Sequence, residues 1–276
     1  MVECHMHMAL DGVDWKAAIC RHRDTVDKVF VESVLQAYHR LGYTYLRDGG
    51  DKWGVGAYAR NLALRYGIVY KTPYAPLSKA GHYGGFIGLQ WENLKEFAQL
   101  VKQQKAQGAD FLKIMISGLM DFDRFGVLTE EGLTEKEIRE LVHIGHQEGL
   151  SVMAHANGAR VLLAAADAGV DSIEHGAYAD DEALAAMAER GVVWVPTVST
   201  VGNLRGKGRF DEGAVSRIFE SHMESVGRFA SMGGAVASGT DAGAWAVKHG
   251  CQTEEGYLTQ IGVDYARGNR MIMERF

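Results

Sequence analysis

Eight short runs of β-branched and other apolar residues alternate along this chain with stretches that carry the i, i+3, i+4 periodicity of amphipathic helices. The runs are Val2 to Met8, Thr44 to Asp48, Gly67 to Lys71, Phe111 to Ser117, Ser151 to Ala156, Ser172 to His175, Val192 to Pro196 and Ala235 to Thr240. Between them lie helical patterns over Thr25 to Leu41, Ala57 to Tyr66, Trp91 to Gln107, Glu135 to Glu148, Gly158 to Ala168, Asp181 to Arg190 and Asp211 to Ser231. Thr134-x-x-Glu137 supplies a capping box for the fourth helix, and Gly149 its stop. Strands separated by helical crossovers are parallel, so the alternation predicts an α/β fold. A closed (β/α)8 TIM barrel is the leading architecture and an open doubly wound sheet the alternative, which periodicity alone does not separate. The 276 residues suit one barrel, and no polar linker divides them, so 1–276 is read as a single domain.

Composition removes several function classes. A net charge of -6 with no basic stripe argues against a nucleic-acid partner. Cys4, Cys20 and Cys251 lack any CxxC spacing, which fits a reducing compartment better than a disulfide framework. No leader-like segment opens the chain, and no run approaches the roughly 18 apolar residues of a membrane span. A cytoplasmic enzyme with a small-molecule substrate is the expectation, with homo-oligomerisation left open.

Polar residues placed inside or at the ends of these apolar runs carry the chemistry. His5-Met6-His7 sets two imidazoles on one face of an extended segment, close enough to share a metal ion. Lys113 interrupts Phe111-Leu112-Lys113-Ile114-Met115-Ile116, while His155, His175 and Asp241 each end a predicted strand. Barrel strands converge at their C-terminal ends, where such folds place their active sites. Histidines and an aspartate meeting there form a donor set suited to Zn²⁺ or a similar divalent ion. Each residue alone reads as an ordinary hydrogen-bonded buried group; six in matching positions do not. Lys113 is the most unusual of them, because an ammonium in an apolar strand is costly and repels a dication. Two readings stay open: a neutral amine that takes up CO₂ to become a bridging carbamate, or a lysine that snorkels to the rim or pairs with a carboxylate.

His5-x-His7, Lys113 in Lys-Ile-Met-Ile-Ser-Gly, His155 in Ala-His-Ala-Asn-Gly, His175 in Ile-Glu-His-Gly and Asp241 in Gly-Thr-Asp-Ala-Gly together resemble the amidohydrolase superfamily. Within it they are most similar to the Xaa-Pro dipeptidase-like and imidazolonepropionase-related metal-dependent hydrolases. The resemblance implies a distorted barrel with a binuclear metal centre holding two divalent ions, zinc being the expected metal. His5, His7 and Asp241 would hold the more buried ion, His155 and His175 the more exposed one, and carboxylated Lys113 would bridge them. A hydroxide between the ions would be the nucleophile, with Asp241 as general base and then acid. Most members of the family flank the barrel with segments that fold into a small β-sandwich. Here His5 lies near the start and 35 residues follow Asp241, so a barrel without the sandwich is expected, with Gly256 to Phe276 supplying one closing helix.

Substrate contacts are read from the loops. His82, in Gly81-His82-Tyr83-Gly84-Gly85, is a candidate to contact the carbonyl or the tetrahedral oxyanion. Tyr178 is a candidate hydrogen-bond donor, Tyr74 and Trp53 candidate walls, and Arg205 and Arg209 candidate partners for a substrate carboxylate. The reaction expected is hydrolysis of an amide bond in a small dipeptide or N-acyl amino acid. Alternatives are a mononuclear cyclic-amide hydrolase or aminohydrolase, in which Lys113 stays a free amine, and a non-catalytic binding protein on the same barrel. Gly54-Val55-Gly56-Ala57-Tyr58-Ala59 loosely matches a dinucleotide-binding turn, but Ile68-Val69-Tyr70-Lys71 ends without the acidic residue that motif needs. No Gly-x-Ser-x-Gly elbow supports a serine hydrolase.

Overall fold

The structure is a computed structural model that describes residues 1–276. Ten strands form: β1 (Val2–Met6), β2 (Tyr45–Asp48), β3 (Val69–Lys71), β4 (Leu77–Lys79), β5 (Leu89–Trp91), β6 (Leu112–Met115), β7 (Val152–Ala156), β8 (Ser172–His175), β9 (Val193–Val195) and β10 (Ala235–Val236). All their pairings are parallel, in ladders ordered β1-β2-β3 and β10-β9-β8-β7-β6-β4-β5. The N–H of Cys4 donates to Ser238 O at 3.0 Å, that of Asp241 to His5 O at 2.7 Å and that of His7 to Ala242 O at 2.7 Å. These bonds lay β1 along the segment that follows β10 and join the two ladders on that side.

On the other side the third strand position is divided. β3 pairs with β2; the chain then bends through Thr72-Pro73-Tyr74, and β4 pairs with β6. Pro73 has no N–H to give a ladder, and Tyr74 takes a left-handed φ of 67°, so a continuous strand is ruled out locally. Eight strand positions thus surround one interior, as in a (β/α)8 barrel. The sequence pattern missed β4 and β5, because three-residue strands containing Ser, Lys or Gln show no readable period. It also began a helix at Trp91, which instead ends β5 and stacks edge-on against Phe97 at 5.5 Å.

The predicted helices form at Lys28–Arg40, Val55–Ala63, Leu94–Gln107, Glu135–Gln147, Ala159–Ala168, Asp181–Glu189 and Glu212–Ser231. Three starts shift to the residue after a capping side chain, Asp27, Asn93 or Asp211, and the helix after Asp180 starts at Asp181 as read; each of these four residues accepts a backbone N–H of the first turn. The Thr134/Glu137 capping box is formed as read, a feature worth about 1 kcal/mol. The expected single closing helix is two, Thr253–Gln260 and Ala266–Arg275, split at Gly262 with φ 69°. An eight-residue helix, Trp15–His22, capped by Asp14, was too short to show a period.

Alternation within the strands sets what faces the interior. Along β6, Leu112 and Ile114 pack outward with helix residues such as Ile138, Leu141 and Val142, while Lys113 and Met115 line a central cavity. At the N-terminal ends of the strands, Tyr45, Phe111, Val193 and Ala235 cluster with Ile272 and Phe276 of the last helix and close the barrel. The cavity therefore opens only at the other end, where the strands finish. Residues 1–276 form no β-sandwich, and no helix is long and apolar enough to cross a membrane.

Candidate metal centre

Six residues from five of the eight strand positions meet at the floor of a cavity of about 390 Å³: His5, His7, Lys113, His155, His175 and Asp241. Ring centroids of His5 lie 5.4 Å from His7 and 5.2 Å from His175, and those of His155 and His175 lie 4.5 Å apart. One Asp241 oxygen, Oδ1, sits 3.5 Å from Nε2 of both His5 and His7. His5, His175 and Asp241 present ligand atoms all within 4.8 Å of one another. His175 and Asp241 reach this point by leaving their strands in left-handed conformations, φ 69° and 57°, which non-glycine residues adopt at a cost.

The imidazoles are oriented from behind. His5 Nδ1 bonds Glu174 Oε2 at 2.7 Å, His175 Nδ1 bonds Thr197 Oγ1 at 2.7 Å, and His155 Nε2 bonds Gly118 O at 3.2 Å. Each of these three rings therefore keeps its other nitrogen for the cavity, the arrangement by which outer partners fix metal-binding histidines. Glu174 is itself held by Arg47, which donates to both carboxylate oxygens at 2.9 and 3.0 Å, and by the Ser172 hydroxyl at 2.5 Å. Arg47 also donates to Cys4 O at 2.6 Å and stacks over Phe276 at 4.5 Å. A second buried carboxylate, Glu3, accepts from the backbone of His5 and from both the backbone and hydroxyl of Thr240, tying the two ligand-bearing segments together.

Burial dominates the protonation of the cluster. It holds the imidazoles of His7 and His155 down at about 3, and those of His5 and His175 well below their ordinary range. Lys113 adds to the effect on His5, His7 and His155. All four rings are thus neutral, the form that binds metal. Desolvation pushes the Lys113 ammonium down and the Asp241 carboxyl up, each partly offset by the other. His5 Nε2, Lys113 Nζ and Asp241 Oδ1 are buried without a hydrogen-bond partner. Unsatisfied groups of this kind cost about 1–3 kcal/mol each, more if charged. Their concentration at one point fits a site built to be completed by cations, and four histidines with a carboxylate suit zinc.

Burial does not follow the expected split between a more buried and a more exposed ion: of the three residues placed with the former, His5 is wholly buried, while the side chains of His7 and Asp241 are 13% and 12% exposed. The expected substrate contacts fare unevenly. Arg209 lines the cavity; His82, Tyr178 and Arg205 do not. His82 turns toward Glu130, 3.5 Å away, and its neighbour Tyr83 enters the cavity instead, its ring 4.9 Å from that of His155. Tyr178 packs edge-on against Phe125, and Arg205 lies over Phe219. The expected walls are displaced too: Tyr74 donates to Gln107 O and stacks with Arg60, while Trp53 packs between two apolar clusters. In each case the loop path, set by tertiary packing, decided which neighbour faces inward.

Missed from the sequence were Arg47 and Glu174 behind the site, and the aromatic lining formed by Trp15, Phe86, Phe122, Phe210 and Trp245. The signal for Arg47 was present: a cation inside the apolar run Tyr45-Leu46-Arg47-Asp48 is as anomalous as Lys113.

No protein-family model matches the chain. In sequence it is similar to ochratoxinase of Aspergillus niger, 24% identical over 278 residues that cover 87% of this chain and 56% of the relative. The chain thus spans about half the length of the curated relatives it matches. In structure it is similar to a Xaa-Pro dipeptidase solved with bound methionine, TM-score 0.76 at 22% identity over all of this chain and 72% of that one. It is similar as well to phenylurea hydrolase B, TM-score 0.75 at 14% identity over all of this chain and 74% of that one.

Proposed function

We propose that this chain, whose motifs, relatives and fold are those of the amidohydrolase superfamily, hydrolyses the amide bond of a small dipeptide or N-acyl amino acid with the help of two divalent metal ions. The observation that carries this reading is the convergence of six side chains on one cavity floor, where His5 Nε2, Lys113 Nζ and Asp241 Oδ1 are buried without a partner. His5, His7 and Asp241 would hold one ion, His155 and His175 the other. Lys113 would supply a further ligand as a carbamate, formed when its neutral amine adds CO₂ and loses a proton, which would replace a stranded ammonium with an anionic oxygen donor. Ions bound there would polarise a carbonyl and acidify water to near neutral pH.

The chain's own residues supply the rest. Asp241, whose Oδ1 is unpaired and faces the cavity, takes a proton from the attacking water and returns it to the leaving nitrogen. Glu174 and Gly118 O, which only accept, hold the His5 and His155 imidazoles in one tautomer, and Thr197 holds the orientation of the His175 ring. The apolar walls exclude bulk water and strengthen every charge interaction on the floor.

The test is metal analysis of gently purified protein, followed by reconstitution with Zn²⁺ or Mn²⁺ against a panel of dipeptides, N-acyl amino acids and lactones. Two ions per chain and metal-dependent amide cleavage are expected. A chain that binds no metal and gains no activity overturns the proposal. One ion per chain with activity intact in Lys113→Ala favours the mononuclear reading.

A further inference from the structure

His175 leaves β8 left-handed at φ 69°, and Gly176 follows it at φ 72°. This turn takes the His175 carbonyl out of the ladder. The last pair between β8 and β9 is Glu174 with Val195; beyond it the chain continues as Pro196, which has no N–H, and Thr197, itself left-handed at φ 49°. Two side chains serve the carbonyl instead. The indole N–H of Trp194, on β9, donates to it at 2.8 Å, and Nε2 of His222, on the helix Glu212–Ser231, bonds it at 2.9 Å. The two rings lie stacked, 20° apart in plane and 5.8 Å between centroids.

A carbonyl oxygen only accepts, so the hydrogen bond places a proton of the His222 ring on Nε2. The other nitrogen, Nδ1, is buried without a partner. A phenylalanine at this position would cover the same indole face and strand no polar atom, so packing alone gives no reason for an imidazole here. The N–H that it gives His175 does. Gly176 shows how close the approach is, because a Cβ there would fall against Nε1 of Trp194. Neither Trp194 nor His222 lines the cavity, so both act through His175.

We infer that Trp194 and His222 are positioning residues for the metal centre: by sharing one carbonyl they lock the His175 peptide in its left-handed turn and aim the imidazole at the cavity floor. The inference rests on the reading of His175 as a metal ligand. A left-handed histidine is held only where its surroundings over-determine it. With its carbonyl freed, His175 would relax toward extended backbone and swing its ring, leaving the Thr197 hydroxyl on Nδ1 as the remaining restraint.

Chelator-stripped protein should be titrated with Co²⁺, whose visible absorption bands report the geometry of its ligands. His222→Phe keeps the stack on Trp194 and removes the N–H, whereas His222→Gln puts an amide N–H close to the place of Nε2. His222→Phe is expected to bind Co²⁺ about tenfold more weakly, with shifted bands, and His222→Gln to recover most of both. Trp194→Phe, which removes the other donor, should weaken binding by a similar factor. Wild-type affinity and bands in His222→Phe overturn the inference. So does a loss in His222→Gln as large as that in His222→Phe, which would trace the effect to packing. Wild-type protein that takes up no Co²⁺ rejects the metal reading, and the ring resonances of His175 in ¹⁵N-labelled, metal-free protein then decide the inference. Shifts or broadening in His222→Phe that His222→Gln reverses support it, and unchanged resonances overturn it.

Discussion

Removing the Arg47 guanidinium strands a buried carboxylate directly behind His5, a proposed metal ligand. Arg47 and Glu174 both have no exposed side-chain surface, and Arg47 spends its donors on Glu174, Ser172 and the carbonyl of Cys4. In Arg47→Met the apolar stem volume is roughly kept, so the loss is electrostatic. Breaking a buried pair from one side costs about 3–5 kcal/mol, because the remaining charge is left without a partner. At roughly 2 °C per kcal/mol for a chain of this length, the expected fall in Tm is about 6–10 °C. Thermal unfolding in the presence of a chelator measures this without any contribution from bound metal. The double variant Arg47→Met with Glu174→Gln should recover part of the loss, since the second change removes the stranded charge; a coupling of about 1–3 kcal/mol is expected for groups in direct contact. A single-variant loss below about 1 kcal/mol, or strictly additive losses in the double variant, would refute the account of Glu174 as a paired carboxylate that holds His5.

Glu174→Gln alone, with Arg47 intact, should weaken metal retention about 10–100-fold as judged by competition with a chromogenic chelator, because the His5 ring loses its charged anchor. At Gly49 an added Cβ would fall 2.2 Å from Cε1 of His7, so Gly49→Ala should displace that ring and lower metal content while leaving the circular dichroism spectrum native. Glu137 sits in a balance in which burial raises its pKa, but hydrogen bonds from Lys79 and Thr134 win and hold it at about 2, below the 4.5 of an ordinary glutamate. A depressed carboxylate contributes stability that is present above pH 4.5 and lost as pH falls toward 2. Glu137→Gln should therefore flatten the acid limb of a stability–pH curve in that window by about 1–2 kcal/mol, and an unchanged limb would exclude Glu137 as its source. Chelation of the metal-loaded protein should lower Tm reversibly, the drop growing with the concentration of free metal removed.

The sequence by itself determined the α/β alternation, the rough positions of seven helices and the six residues that converge on the candidate metal centre. The physical reason is local: burial on one face imposes a period, and a polar residue that breaks the period inside an apolar strand must have a use. His5, Lys113, His155, His175 and Asp241 are all readable in this way, and Arg47 was readable by the same rule. Tertiary structure alone decided the rest. The third strand is split because Pro73 and Tyr74 cannot continue a ladder, and its second half, β4, leaves β2 to pair with β6, a neighbour distant in sequence, and with β5. Whether His82 or Tyr83 enters the cavity depends on loop packing across the mouth, where Glu130 draws the histidine away. The aromatic lining comes from five segments between Trp15 and Trp245, each ordinary on its own and meaningful only when the closed barrel brings them around one floor.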